Sequence, residues 1–365
     1  MIPIFSHRRS RVKLLKWSGL LTLALVVGAA LSLAIPGCSA GYLIRSGYFQ
    51  AELMLSRVPV EDARASGRLT EDEIRALDDF ADVKTYGAEI GLSASENYET
   101  IALDWPRKIW NITACDPVAF EPHRWWFPIV GSVPYLGYFR EDEVREARDR
   151  LLSQDYDIYI RSVGAYSTLG WFEDPILPWM LEWSTHRIAQ TTLHELVHAT
   201  IWIPGSVKFN ESFAHFVGQE AAMRYLIDRY GEDGDVTVRA RSSSKDSETL
   251  KRVLHEVYTE LDEIYRDPAL DRSEVLSRKA DILASIPERV SQTEFLDPEK
   301  VLKSVQRGPW NNARMIQFKT YNHNQEVFQA LLDAEGGDLL SFMRRVESIT
   351  SDADDPFEAI RAASL

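Results

Sequence analysis

The stretch that most constrains the fold is HELVHATIWIPGSVKFNE at residues 194–211. In a helix, positions i and i+4 lie on one face, so His194 and His198 can offer their imidazoles to a single metal ion. Glu195 is one position further on, where its carboxylate can reach a water molecule on that ion without binding the ion itself. We therefore predict a helix over residues 184–203 that carries part of a metal site.

A zinc site that hydrolyses a substrate needs three protein ligands and an open fourth position. The Pro-Gly pair at 204–205 ends the first helix and allows the chain to reverse. We expect Asn210 to be the N-cap of a second helix that ends near Tyr230, with Glu211 in its first turn facing back toward the imidazoles. His215 is on the same face, four residues after Glu211. It is the alternative third ligand, a residue that supports a ligand, or a plain surface residue.

The same pattern has a purely structural interpretation, in which two hydrogen-bonded histidines lie on a half-buried helix. With 8 histidines in 365 residues, a chance H-E-x-x-H is expected on the order of once per hundred such chains. The structural interpretation leaves the helix break and the N-E-x-x-A sequence at 210–214 unexplained. We therefore favour a metal site.

The N-terminus resembles an export signal. Basic residues and no acidic ones occur at 8–16, an apolar run follows at 17–35, and the sequence IPGC ends at Cys38. A cysteine after a small residue resembles the bacterial lipobox, in which the chain is cut before the cysteine and the cysteine is lipidated, although Pro36 departs from that pattern. The alternative is an uncleaved membrane anchor, because the run is just long enough to cross a bilayer. Either way we predict a membrane-tethered protein outside the cytoplasm, in the cell envelope, and Ser39 favours the outer over the inner membrane.

Charge and cysteine content limit the remaining possibilities. The net charge is −14, and no block rich in lysine and arginine follows the N-terminus. This excludes nucleic acid as an expected partner. The chain has two cysteines, so a lipidated Cys38 would leave Cys115 without an intrachain partner. Stability must then come from the hydrophobic core.

Hydrophobic patterning predicts an α+β fold. Aromatic and β-branched runs broken by Pro and Gly between 98 and 172 indicate a small mixed sheet. Residues 245–287 are charged and helically periodic, with a break at 266–272, and predict a helical hairpin. Further helices are expected at 41–57, 69–80 and 141–154 and in two C-terminal stretches, NQEVFQALLDAEGG and DLLSFMRRVESI. We predict a signal or membrane segment at 1–37 and one unit at 38–365, with 98–230 as its catalytic core and a helix-rich C-terminal part.

Several blocks of the sequence resemble one known family. They are WNITA at 110–114, FPIVG and GYF within 127–139, AYSTLGWFEDP at 165–175, HELVHATIWIPGSVKFNESFAHFV at 194–217 and NNAR at 311–314. Together they resemble the predicted zinc aminopeptidases of bacteria, a lipoprotein-like group with gluzincin-type motifs. The resemblance implies a zincin-like fold and one Zn²⁺ ion held by His194, His198 and Glu211.

The sequence departs from this family at two places. A cysteine pair commonly flanks the FPIVG segment, whereas this chain has Trp126 and Ser132 there, so that disulfide is absent. His215 stands where a small residue such as threonine is usual, which keeps His215 open as a ligand.

The expected chemistry is hydrolysis of a peptide bond. Zinc would polarise the scissile carbonyl and lower the pKa of its bound water, and Glu195 would move the proton from that water to the leaving amine. Tyr321 and Tyr166 are candidates for stabilising the oxyanion, although most tyrosines in such a chain belong to the core. Residues 162–172 are either a strand edge along which a peptide lies or an ordinary core strand. An aminopeptidase also needs an anion for the substrate amine, and the candidates are Glu173, Asp174 and Glu182.

The leading interpretation is therefore a membrane-anchored, extracytoplasmic zinc metallopeptidase that acts on peptides. An envelope endopeptidase is the alternative within the enzymes. A lipoprotein with a structural zinc that scaffolds other proteins is an alternative from a different class, and a metal-free binding module is another. An open fourth coordination position favours the enzymes, a fourth protein ligand such as His215 favours the scaffold, and purification without zinc favours the binding module.

Overall fold

The computed structural model describes residues 39–127, 131–164, 173–351 except 321–324, and 353–363. The fold is α+β, as predicted, and helices dominate it. The strands are β1 (Val58–Pro59), β2 (Thr100–Ile101), β3 (Trp110–Cys115), β4 (Trp125–Phe127), β5 (Gly131–Val133), β6 (Leu136–Tyr138) and β7 (Asp157–Ser162). The helices of the N-terminal half are α1 (Ser39–Ser56), α2 (Val60–Ala65), α3 (Glu71–Glu89), α4 (Glu141–Leu152) and α5 (Thr185–Thr200).

The C-terminal half is helical wherever it has regular structure. Its helices are α6 (Val207–Tyr230), α7 (Asp235–Arg266), α8 (Arg272–Ala284), α9 (Ile286–Ser291), α10 (Pro298–Val305), α11 (Asn312–Thr320), α12 (Gln325–Ala334), α13 (Leu339–Thr350) and α14 (Pro356–Ala363). The predicted helical hairpin corresponds to α7 and α8, and its break falls at 267–271, between them. The two predicted C-terminal helices correspond to α12 and α13.

Except for β1, which precedes the region 98–172, the strands occur where the aromatic runs predicted them, but they are short. The largest sheet is antiparallel with the order β6-β3-β7, and Asn111 in its central strand pairs with Gly137 on one side and Arg161 on the other. Two-stranded sheets β1-β2 and β4-β5 accompany it. An isolated parallel bridge between Ile101 and Ile176 ties β2 to the chain that leads into α5.

Local sequence explains the helix starts. Thr70 accepts a hydrogen bond from the Glu73 backbone amide at 3.3 Å, and the Glu73 side chain accepts one from the Thr70 amide at 2.8 Å. This capping box satisfies two amides that have no partner inside the helix, and it confirms the helix start predicted at residue 70. Ser184 caps α5 in the simpler way, by accepting a hydrogen bond from the Arg187 amide.

The largest core cluster surrounds α5 and α6. Its C-terminal side is aromatic, because Phe213 and Phe216 on α6 contact Phe328 on α12 and Phe342 on α13. All four phenylalanines are buried. Since burial of one phenylalanine side chain stabilises a fold by about 1.5–3 kcal/mol, this cluster holds α6 firmly in place beside the C-terminal helices.

The NNAR block at 311–314 has a structural role. The Asn312 side chain donates to the Asp116 carbonyl at 2.9 Å, and the Asn312 amide donates to the Asp157 carboxylate at 2.7 Å. The Arg314 guanidinium donates to the Gly308 carbonyl at 2.9 Å and lies over the Trp310 ring at 3.8 Å. These contacts join α11 to the sheet.

The N-terminal helix α1 packs directly on the sheet. The Tyr42 hydroxyl donates to the Gly137 carbonyl at 2.9 Å, and Phe49 contacts Phe139 with ring centroids 5.7 Å apart. None of the helices in the described part of the chain is long and apolar enough to cross a membrane. Cys38 and the apolar run at 17–35, on which the prediction of an anchor rests, lie outside the described residues.

Candidate metal centre

The first element of the site is α5, which turns a buried face toward the core and its two histidines toward α6. Leu193, Leu196 and Val197 are buried, whereas the His194 and His198 side chains are 19% and 14% exposed. This is the arrangement that their spacing predicted. The helix ends three residues earlier than expected, at Thr200, where the Ile201 amide still bonds to the Val197 carbonyl.

The reversal between the two helices differs from the prediction in the role of Asn210. Gly205 has φ +80, a conformation that favours glycine. The second helix begins at Val207 after the cap residue Ser206, so Asn210 lies inside the helix and is not its N-cap. Its buried amide instead accepts from the Ile203 amide at 2.9 Å and donates to the Ile203 carbonyl at 2.8 Å.

The physical reason for this correction is that an asparagine amide carries both a donor and an acceptor. A cap uses only the acceptor, whereas the contact with Ile203 uses both and satisfies both backbone groups of this half-buried residue, which lies three positions after the end of α5. Glu211 consequently lies in the second turn of α6 and not in the first, and it still faces α5.

A glycine sets the distance between α5 and α6. A Cβ atom at Gly218 would lie 3.1 Å from the Gln190 carbonyl oxygen and 3.1 Å from both the amide nitrogen and the Cβ of His194. Contacts this short are rare for real Cβ atoms, so glycine permits the approach of the two helices at this level. No local pattern in the sequence pointed to Gly218.

Three potential ligand atoms converge between the helices. The Nε2 atoms of His194 and His198 are 3.1 Å apart. The Glu211 carboxylate oxygens are 3.7 Å from His194 Nε2 and 3.5 Å from His198 Nε2. In a tetrahedral zinc site with bonds near 2.05 Å, neighbouring ligand atoms are about 3.3 Å apart. The observed distances lie on both sides of that value, so the residues fit a zinc ion without rearrangement of the helices.

Burial and nearby charges set the protonation of these groups. Burial, together with the charge of His194, lowers the pKa of His198 to about 4. Burial acts to raise the pKa of Glu211, but the contact with His194 and the charges of both histidines outweigh it and hold that pKa below its usual value. At neutral pH His198 is therefore a neutral imidazole and Glu211 a carboxylate, which are the forms that bind a metal.

The pKa of His194 shifts in the opposite direction from that of His198. Burial lowers its pKa, but the contact with Glu211, the charges of Glu195 and Glu211 and the hydrogen bond with the Ala214 backbone together raise it above the usual value. A metal ion bound between these groups would take the place of that proton. The Nδ1 atom of His198 is buried and has no hydrogen-bond partner among the described residues. Its ring lies 5.5 Å from the Trp202 ring and 4.6 Å from the His194 ring.

His215 lies beside the three-residue cluster but is not part of it. The cluster of His, Cys, Asp and Glu atoms found in the described chain consists of His194, His198 and Glu211, whose ligand atoms are all within 4.8 Å of one another. Burial lowers the pKa of His215 to about 4, with smaller contributions from the charges of Lys251 and His194. The geometry thus places Glu211, and not His215, where the third ligand was expected.

Tyr98 is a residue near the site that the sequence analysis missed. It is buried, and burial followed by the charges of Glu195 and Asp174 raises its pKa well above the usual value. Its backbone has φ 65, which is uncommon for a residue with a side chain. The Tyr98 amide donates to the Asp174 carbonyl at 2.8 Å, and this contact fixes its position. A tyrosine far from the motif in sequence gives no local signal of this proximity.

The remaining candidates differ in their surroundings. Of the three acids proposed for the substrate amine, Asp174 is buried, whereas Glu173 and Glu182 are exposed. The charges of Asp174 and Glu195 both contribute to raising the pKa of Tyr98. Tyr321, Tyr166 and most of the proposed peptide edge at 162–172 lie outside the described residues.

Comparison with known proteins gives one match. The model of a family described as "Putative aminopeptidase" matches residues 41–359, a range that contains the metal centre and every helix from α2 to α13. No curated protein and no solved structure matches the chain.

Proposed function

The chain belongs to this aminopeptidase family, and we propose that it is a zinc metallopeptidase of gluzincin type, anchored to a membrane outside the cytoplasm. The family match agrees with the resemblance noted in the sequence as far as peptidase chemistry is concerned. The zinc ion, the mechanism and the anchor are proposals that the following observations support.

The observation that carries the proposal is the convergence of His194, His198 and Glu211. Their ligand atoms lie 3.1–3.7 Å apart, and two imidazoles with one carboxylate are a donor set used by catalytic zinc. Within the described chain no further His, Cys, Asp or Glu joins this cluster. Three protein ligands and no fourth are the arrangement of a catalytic site, whereas a structural zinc ordinarily has four.

In the proposed mechanism, a bound zinc would supply Lewis acidity toward the scissile carbonyl and a water of lowered pKa. His194, His198 and Glu211 would hold it from one side. Glu195, on the same turn of α5 as His194, would accept the proton of the attacking water and donate it to the leaving amine. Tyr98 is buried, and the charge of Glu195 contributes to raising its pKa.

A test uses Glu195→Gln, which removes the base but keeps the size of the side chain. We expect the full-length protein to contain one zinc per chain and to cleave peptides with a free N-terminus from a mixed library. Glu195→Gln should retain the zinc and lose activity by about 10²–10⁴-fold, the usual contribution of a general base. The control is Glu299→Gln, at an exposed position in the first turn of α10, and should match the unmodified protein.

Cleavage that survives a chelator, or that persists in Glu195→Gln, would contradict the mechanism. N-terminally acetylated copies of the same peptides separate the two kinds of peptidase, because an aminopeptidase needs the free amine and an endopeptidase does not. A protein that holds zinc but cleaves neither set would favour the structural scaffold.

The proposed anchor rests on the basic stretch at 8–16, the apolar run at 17–35 and Cys38. The intact mass of the purified protein distinguishes the two possible anchors, a lipidated cysteine and an uncleaved membrane segment. A lipoprotein lacks residues 1–37 and carries lipid on Cys38, whereas an uncleaved anchor retains all of them.

A further inference from the structure

A large cavity opens along α6 on the C-terminal side of Glu211. Its volume is about 860 Å³, within the range of ligand-binding pockets, which is roughly 300–1,000 Å³. Residues from α6, α7, α11 and α12 line it, and we call it the α6–α7 cavity. Its floor is apolar, since Phe216, Leu254 and Met315 all line it and are buried. The amides of Gln219 and Gln325 add polar groups to the wall.

One hydrogen bond, the course of α6 and the charge of Lys251 relate the α6–α7 cavity to the candidate metal centre. Gln325, in the cavity wall, donates to the carbonyl of Ser212, the residue next to Glu211, at 3.2 Å. Phe216 follows His215 directly in α6. The charge of Lys251, another lining residue, acts on His215, whose pKa also responds to Glu211 and His194. The cavity therefore begins about one helix turn from the proposed zinc ligand.

The charges of the cavity are unevenly distributed between its rim and its interior. Glu248, Glu256 and Glu326 line it but are exposed to solvent. Two half-buried charged groups lie deeper, Glu220 and Lys251. Glu220 has Arg224 at 3.8 Å, whereas no carboxylate of the described residues forms an ion pair with Lys251. Solvated rim charges are screened, so the uncompensated charge in the interior is that of the Lys251 ammonium.

Lys251 behaves as a desolvated cation. Burial lowers its pKa, and the exposed Glu248 opposes this only in part. A half-buried ammonium with three donors and no carboxylate partner is poorly satisfied and gains from an anion brought to it. The anion that a peptide substrate offers is a carboxylate.

We propose that the α6–α7 cavity binds the C-terminal portion of a short peptide and that Lys251 holds its carboxylate while the scissile bond lies at the metal centre. This inference rests on the proposed function and narrows its substrate class to short peptides with a carboxylate near the cleavage site. Lys251 is thereby a specificity-determining residue.

The dimensions agree with this substrate class. From Glu211 to Gln219, α6 rises by about 12 Å at 1.5 Å per residue. An extended peptide advances about 3.3–3.6 Å per residue, so the cavity spans roughly three residues beyond the scissile bond. Longer peptides would have to leave the cavity past its acidic rim, and their terminal carboxylate would not reach Lys251.

The test compares tetrapeptide libraries that differ only at the C-terminus, as free acids and as amides, because removal of the first residue leaves three residues for the cavity. We expect the zinc-loaded, full-length protein to cleave the acids with kcat/KM at least tenfold above the amides, since one charge-assisted hydrogen bond commonly corresponds to tenfold or more. Lys251→Met should raise KM for the acids and remove this preference, and it should leave the amides unchanged. Lys245→Met, at an exposed lysine of the same helix, is the matched control and should keep the preference.

Binding of the same libraries to Glu195→Gln, measured by equilibrium dialysis and mass spectrometry, separates the two proposals. One outcome is selective binding of the free acids that depends on Lys251, while the unmodified protein shows no zinc-dependent hydrolysis. That result would refute the proposed peptidase activity and support the proposed carboxylate-binding site. The inference would be overturned if the protein bound and cleaved acids and amides equally well, or if Lys251→Met lost activity toward both equally. Amides that contain Asp or Glu and behave as free acids would identify a side-chain carboxylate as the bound group.

Discussion

Replacement of Gly218 by alanine tests whether this glycine sets the geometry of the metal centre. The new Cβ would lie 3.1 Å from three atoms of α5, two of which belong to His194 itself. Two of these three atoms are backbone atoms, which cannot turn aside as a side chain can. To relieve the short contacts, α5 must therefore move away from α6 by a few tenths of an ångström. Such a shift exceeds the tolerance of about 0.2 Å expected for the ligand distances of a zinc site.

The size of the effect follows from two opposing contributions. Alanine is favoured over glycine inside a helix by about 1 kcal/mol, whereas an extra methyl group in a tightly packed interface costs about 1–3 kcal/mol. Gly218→Ala should therefore change the free energy of unfolding of the metal-free protein by between roughly zero and 2 kcal/mol, in the destabilising direction. Zinc affinity should fall by about 10–100-fold, as it does when groups that orient a metal ligand are disturbed.

Gly47 provides a matched control of opposite sign. It lies inside α1, and a Cβ there would have nothing within 4 Å. Gly47→Ala should thus stabilise the protein by about 0.5–1 kcal/mol and leave zinc affinity unchanged. Urea unfolding of the metal-free proteins and zinc titration against a competing chelator measure both quantities. If Gly218→Ala is stabilised as Gly47→Ala is, and binds zinc equally well, the glycine does not set the distance between the helices.

Two further predictions concern the chain around the site. Asn210→Ala removes both hydrogen bonds to Ile203 and should destabilise the protein by about 2–3 kcal/mol in urea unfolding. Val207→Ala, at an exposed position in the same turn, should change the free energy of unfolding little. Similar values for the two variants would refute the role assigned to Asn210. Burial, with the charges of Asp157 and Asp116, raises the pKa of Cys115 to about 12. In a Cys38→Ser variant, the Cys115 thiol should therefore react with a disulfide reagent at pH 8 only as fast as the protein unfolds. Reaction of the native protein as fast as of the denatured protein would show that the thiol is accessible.

The parts of the site that the sequence predicted depend on short-range geometry. The spacing of His194 and His198 is dictated by the helix, and the Pro-Gly pair marks where that helix must end. Glu211 follows closely enough that a single reversal brings it back. Local patterns likewise predicted a helix at 69–80 and the hairpin of α7 and α8, because periodicity and helix-start signals are properties of neighbouring residues.

The parts that the sequence did not reveal depend on contacts between distant segments. Gly218 is one glycine among 19, and its importance follows only from the approach of α5. Tyr98, whose pKa responds to the charge of Glu195, is held by a backbone contact with Asp174 that no periodicity encodes. Asn210 was assigned to the wrong role, since a local rule for caps competes with a bridge to Ile203 that requires the fold.

The direct attachment of α1 to the sheet has a consequence for the region in which the enzyme would work. Helix α1 begins at Ser39 and is held by Tyr42 and Phe49, so a lipid on Cys38 would join the folded body without a spacer. A flexible tether of thirty residues would allow the active centre to lie about 30 Å from the point of attachment. Without one, a lipidated molecule would be confined to a thin layer at the bilayer surface and would meet only the peptides that diffuse into that layer.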